Sequence, residues 1–260
     1  MNDAFLELKT HKLHYRIDGE HGPWLLFCNS LGTDLHMWDA QVAALSAHFR
    51  VLRYDRRGHG TSTTPPAPYS LADLGGDVIA LLDALKIERV HFCGLSIGGL
   101  VGQWLGIHHG HRFGKLVLCA TAAKIGTAES WSARIEAVQT DGLSPLAAAT
   151  AERWFTPRFN AEHADVVKDI LARFVVVDPV AYNGCCAALA DADLRSDIAR
   201  IANPVLTISG DDDPVCSPQD LRAIADAVQD GCHASFTGRH IVNIESALLF
   251  NASLSGFLRA

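Results

Sequence analysis

The sequence predicts an α/β chain whose central sheet is mostly parallel and carries helices on both faces. Three observations lead there. Short apolar runs of strand length alternate with helical patterns from residue 24 onward, an order that implies right-handed crossovers between parallel strands. One run, Val90 to Leu95, enters a glycine-flanked serine and leaves as a helix. The composition of the 260 residues, 48% hydrophobic and 20% charged, is that of a globular chain long enough for one large core.

Residues 5–17 alternate in polarity (Phe5, Leu6 and Leu8, then Leu13, Tyr15 and Ile17) and read as an antiparallel hairpin that leaves through Asp18-Gly19. Trp24 to Cys28 is continuously apolar, as expected of a strand covered on both faces. Its loop, Asn29-Ser30-Leu31-Gly32-Thr33, precedes a helix expected from about Leu35 to Leu45. Phe49 to Tyr54 is the next strand, and it runs into Asp55-Arg56-Arg57-Gly58-His59-Gly60. Those residue types resemble a catalytic cluster, yet a charged turn pinned by two glycines reads better as scaffold. Ser70 and Asp73 have capping-box spacing, and Leu71, Leu74, Val78, Leu81, Leu82 and Leu85 give the following helix a core face.

The strand Val90 to Leu95 then meets Gly94-Leu95-Ser96-Ile97-Gly98. A serine at a sharp strand-to-helix turn needs neighbours without bulk, and the turn lifts its hydroxyl to the amino end of a helix, here expected to open at Gly98. Ser96 is therefore the candidate nucleophile. The backbone N–H of Ile97, next in sequence, and that of Leu31, in the loop after a neighbouring strand, are the candidate oxyanion donors. His108, His109 and His111 lie at the carboxyl end of this helix, where the dipole accommodates them. No carboxylate or cysteine accompanies them at ligand spacing, so no metal site is expected.

Lys115 to Ala120 is another strand, after which the alternation stops. From residue 121 to 201 the pattern is helical (Trp131 to Val138, Pro145 to Phe155, Ala164 to Phe174, Val180 to Leu189). This predicts a lid inserted over the carboxyl edge of the sheet, with a core formed by 1–120 and 202–260. Trp131, Trp154, Phe155 and Phe174 read first as packing between lid helices. The α/β pattern returns with Pro204 to Ser209 and then three aspartates, of which Asp213 is favoured as the acid that orients a histidine. A helix from about Pro218 to Val228 and a strand from Cys232 to Phe236 follow. His240 comes next, on a loop before a closing helix from Ser246 to Leu258, whereas His233 falls inside the strand.

A net charge of −7 argues against nucleic acid or an anionic membrane as partner. No apolar tract has spanning length, and Met1-Asn2-Asp3-Ala4 lacks a basic leader, so a cytoplasmic location is expected. Seven cysteines with no C-x-x-C spacing, two of them the adjacent Cys185 and Cys186, suit reduced thiols.

The stretches Asn29 to Trp38, Tyr54 to Gly60, His91 to Gly99 and Lys115 to Ala120 resemble the α/β-hydrolase superfamily. More narrowly, Thr121 to Gly126 with Trp131, Arg153 to Thr156, Cys185 to Leu189 and His240 to Glu245 look like the 3-oxoadipate enol-lactonase family of aromatic catabolism. The resemblance implies a triad of Ser96, Asp213 and His240, no metal and no organic cofactor. It also implies a small anionic enol-lactone as substrate. Because that substrate carries a carboxylate while the protein is acidic, a local cation is needed, and Arg134, one turn from Trp131, is the candidate. Trp131 is the second candidate contact. Arg57 departs from many relatives, but within the scaffold turn. Another serine carboxylesterase, or a hydrolase of carbon–carbon bonds in ring-cleavage products, would share the triad and differ in the lid. A ligand receptor on the same fold would have lost part of it. A serine at position 96 excludes the aspartate-nucleophile chemistries.

Overall fold

A computed structural model describes residues 3–260, which leaves Met1 and Asn2 of the expected leader-free start outside the description. Eight strands form one sheet. The hairpin of β1 (Asp3–Glu7) and β2 (Lys12–Asp18) is antiparallel and lies at one edge. β3 (Trp24–Cys28), β4 (Arg50–Tyr54), β5 (Val90–Leu95), β6 (Phe113–Cys119), β7 (Val205–Gly210) and β8 (Gly231–Phe236) run parallel, in the spatial order β1-β2-β4-β3-β5-β6-β7-β8. Every residue of β7 is buried, as are the last four of β3, β4, β5 and β6, which explains why these strands are apolar without alternation.

The order matters for function. From β3 the chain moves outward to β4, then returns across β3 to place β5 on its other side, so the direction of winding reverses between β3 and β5. A crevice opens at such a reversal, beyond the carboxyl ends of the two strands. The loop after β3 and the turn after β5 both lie there, with Cys28 registered against Gly94.

Helices cover both faces. α1 (Asp39–Leu45) follows a 3-10 turn, Leu35–Trp38, so the helix expected from Leu35 starts in tighter form. The cause is visible: Asp34 caps the turn at the N–H of His36, and Asp55 takes the N–H of Leu35, holding these residues before the first α-turn forms. α2 (Leu71–Ala84) has the expected capping box, Ser70 and Asp73 each accepting the other's backbone N–H. α3 (Ile97–His109) opens one residue earlier than expected. The irregular backbone is confined to Ser96 itself (φ 60°, ψ −120°), and the helix resumes at once.

Between β6 and β7 lie α4 (Ala128–Asp141), α5 (Ala147–Trp154), α6 (Pro157–Glu162), α7 (Ala164–Val175) and α8 (Pro179–Asp191). The short α6, entered through Thr156 and Pro157, was not expected from periodicity. α4 packs on α8 and α5 on α7. The chain closes with α9 (Pro218–Ala227), α10 (Val242–Glu245) and α11 (Ala247–Arg259), α10 being a single turn just past His240. Among the described residues no single helix is long and apolar enough to cross a membrane.

Candidate active site

Ser96 stands where β5 ends and α3 begins, and three bonds hold its turn. Its N–H donates to the carbonyl of Cys119, while its own carbonyl accepts from the N–H of Leu100 and, at 2.8 Å, from the Thr121 hydroxyl. Its positive φ is costly for a residue with a Cβ and persists only in surroundings that impose it. Gly98 is one such constraint: a Cβ there would lie 2.3 Å from the carbonyl oxygen of Cys28, so β3 and α3 can approach only across a glycine.

Leu31 and Ile97 border the same crevice from opposite sides of the strand reversal. Among the described residues no protein acceptor takes either N–H. Ile97 is the first residue of α3, where amides have no intrahelical partner and the dipole favours negative charge. The Leu31 loop is held from below. Arg56 donates to the carbonyls of Asn29 (2.6 Å) and Ser30 (3.3 Å), the Asn29 amide donates to the carbonyl of Tyr54, and the Trp38 indole donates to Asn29. The charged turn after β4 is therefore scaffold for this loop. Asp55 accepts from Leu35, Thr61 and His14, and Arg57 makes a two-point pair with Asp77. His59, fully buried, is pushed down to about 4, mainly by loss of solvation and then by the Arg56 charge.

The three aspartates after β7 divide their work. Asp211 accepts the N–H of Gly238, and Asp212 pairs with Arg239 at 2.7 Å, so both fix the loop that carries the histidine. Asp213 faces inward: one oxygen accepts the N–H of Val215 at 2.8 Å and the other lies 2.9 Å from Nδ1 of His240. Both side chains are buried. With Nδ1–H donated to the carboxylate, the neutral imidazole keeps a bare Nε2 to accept a proton. His240 and Ser96 line one cavity, of about 70 Å3.

The roof of that cavity comes from the helices between β6 and β7. Trp131, half-buried on α4, lines it and donates its indole N–H to the carbonyl of Ile125 at 2.6 Å. Trp154 and Phe174, expected as packing, line it too, edge to face with ring centres 5.5 Å apart, whereas Phe155 lies behind it against Phe159. Arg134 faces the cavity as expected. Arg153 of α5, which was not among the candidate contacts, lines it as well. Neither forms an ion pair with a carboxylate among the described residues. Burial, and next the Arg134 charge, lowers the Arg153 pKa from its usual value, although an arginine so shifted stays charged at neutral pH. Two like charges in a small cavity whose lining holds no carboxylate form a site suited to an anion. The signal for Arg153 was its place beside Trp154; what hid it was that Arg134 and Arg153 share a cavity only in three dimensions.

The α/β-hydrolase fold family matches residues 23–173. The chain is 42% identical to 3-oxoadipate enol-lactonase 2 of Acinetobacter baylyi over 91% of its length and 89% of the relative's. It is 40% identical to 3-oxoadipate enol-lactonase 1 of the same organism, over 95% and 93%. Its structure superposes on the crystal structure of the enol-lactonase from Burkholderia xenovorans with a TM-score of 0.97 and 44% identity, covering 99% of this chain and all of that one.

Proposed function

The chain belongs to the α/β-hydrolase family and, within it, to the 3-oxoadipate enol-lactonases, and from that premise we propose how it hydrolyses 3-oxoadipate enol-lactone to 3-oxoadipate. The Ser96 hydroxyl attacks the lactone carbonyl while Nε2 of His240 takes its proton, and Asp213 stabilises the imidazolium that forms. The N–H groups of Leu31 and Ile97 take the oxyanion. The tetrahedral intermediate collapses by breaking the bond to the ring oxygen. The enolate leaves, is protonated by His240 and passes to the ketone. Water, deprotonated by the same histidine, then attacks the acyl-Ser96 carbonyl, and expulsion of Ser96 releases the second carboxylate.

The observation that carries this reading is the buried Asp213–His240 pair, whose histidine lines the same cavity as Ser96. The substrate keeps a free carboxylate throughout, and Arg134 and Arg153 are assigned to it, with Trp131 as an apolar contact. An uncompensated arginine pair favours an anionic lactone over the neutral esters of a general carboxylesterase. Residues 121–201 act as the lid and 1–120 with 202–260 as the core. No metal or organic cofactor enters the scheme, and neither nucleic acid nor a membrane is assigned as partner. Seven free cysteines support placing the protein in the cytoplasm.

The test is loss of enol-lactone absorbance with purified protein, wild type beside Ser96→Ala. Rapid loss that vanishes in the variant supports both chemistry and nucleophile. Turnover of p-nitrophenyl acetate but not of the lactone would keep the triad and reject the substrate.

A further inference from the structure

At the end of the sheet opposite Ser96, the starts of β3 to β6 and the residue before β7 surround a second cavity, of about 450 Å3. Its size is ordinary for a small-molecule pocket. Arg50, Arg89 and Lys115 reach it from three different segments. None of the three has a carboxylate at ion-pair distance among the described residues, in a protein whose acidic side chains outnumber its basic ones 29 to 22. Each is aimed by one bond to a backbone carbonyl: Arg50 to Gly22 at 3.0 Å, Arg89 to Phe113 at 3.2 Å and Lys115 to Phe257 at 2.8 Å. The terminal guanidinium nitrogens of both arginines have no protein acceptor among the described residues.

His91 adds a neutral donor. The N–H of Lys115 donates to its Nδ1 at 3.1 Å, which puts the ring proton on Nε2. The ring lies over Gly114, where a Cβ would come within 2.8 Å of it. Burial, and then the charges of Lys115 and Arg89, hold His91 below its usual pKa and so uncharged at neutral pH. The remaining wall is apolar: Trp24, whose indole already carries the Arg50 guanidinium at 4.5 Å, together with Val90 and Pro204.

We propose that this cavity is a ligand site for a small aromatic carboxylate. Three cations with free donors suit the carboxylate, and flat apolar walls beside them suit a ring. Inorganic phosphate would use the charges and leave the walls unfilled. The site is separate from catalysis: β5 begins in its wall at Val90 and ends at Leu95, just before Ser96, six residue steps or about 20 Å away.

Titration of the wild-type protein with benzoate, followed by backbone amide NMR, locates binding directly. The expected result is saturable shifts at Trp24, Arg50, His91, Gly114 and Lys115 that persist in Arg134→Met. Arg89→Gln and Lys115→Met, each first shown to melt like the wild type, should each weaken that binding about tenfold or more. Shifts confined to the residues around Ser96, or no saturable shifts, would overturn the site. Equal saturation by inorganic phosphate at the same amides would overturn the ligand class.

Discussion

Glu245 accepts hydrogen bonds from both the backbone N–H and the hydroxyl of Thr156, across 89 residues of sequence. The same carboxylate takes the N–H of Arg239 at 3.0 Å, next to His240, the proposed catalytic histidine. Two further bonds run alongside, from Ile241 to the carbonyl of Trp154 and from Arg239 to that of Glu152. The end of α5 and the His240 loop are thus one unit. Glu245→Ala strands three donors, each costing roughly 1 to 3 kcal/mol where it stays dry. The expected result is a fall in kcat of about tenfold or more with a lower melting temperature, and partial recovery in Glu245→Gln. An unchanged kcat in Glu245→Ala would show that the histidine keeps its place without this tie.

Asp213→Asn keeps the shape of the His240 partner but removes its charge and favours the wrong tautomer. A fall in kcat of about 10^3- to 10^4-fold is expected, with KM little changed. Ser96→Ala should cost at least as much. Single-turnover measurements on both variants check this, and a small effect of Asp213→Asn would move the acid's role elsewhere.

Arg134→Met and Arg153→Met should act on binding. Each removes a charge-assisted contact worth roughly 1.5 to 3 kcal/mol, so kcat/KM for the anionic lactone should fall about 10- to 100-fold. Hydrolysis of neutral p-nitrophenyl acetate should not fall in parallel. Equal losses on both substrates would mean that the arginines shape the cavity instead of reading charge.

Stability should decline on the acid side of neutrality because of His59. Its folded pKa, about 4, lies below the ordinary 6.5, so between those values the unfolded chain holds a proton that the folded chain refuses. That stabilisation is complete above about pH 6.5 and is lost as pH falls toward 4, by an amount of roughly 3 kcal/mol. His14 works in the opposite direction. Its hydrogen bond to Asp55 raises its pKa, and its contribution is complete below about 6.5 and fades as pH rises through the raised value. Melting temperature measured against pH should therefore fall as pH drops from about 6.5 toward 4 and fall again as pH rises through the raised His14 value, and His59→Gln should flatten the acid limb alone.

Much of this was legible in the sequence wherever a local cause sufficed. Trp24 to Cys28 announced a strand by continuous apolarity, Ser70 and Asp73 a helix start by their spacing, and Ser96 a strained turn by its glycines. The closeness of Asp213 to His240 followed from the order of elements. What stayed hidden depended on distant segments meeting. Arg153 acquires meaning only opposite Arg134, and Glu245 only against Thr156. Asp211 and Asp212 had no role of their own beside Asp213 until the loop they hold was in view. The short α6 and α10 have too few turns to produce a period.

The tie between Thr156 and Glu245 also sets a rule for anyone recombining this chain with its relatives. Ser96, Asp213 and His240 all follow strands of the sheet, while Arg134 and Arg153 lie on helices between β6 and β7, so under the proposed roles swapping those helices invites a change of substrate with the chemistry left in place. A graft cut at the ends of residues 121–201 would carry Thr156 and the Trp154 carbonyl away from their partners. The workable seam is compatible with Glu245, Ile241 and Arg239: either the donor segment brings its own equivalents of those anchors, or the His240 loop travels with it.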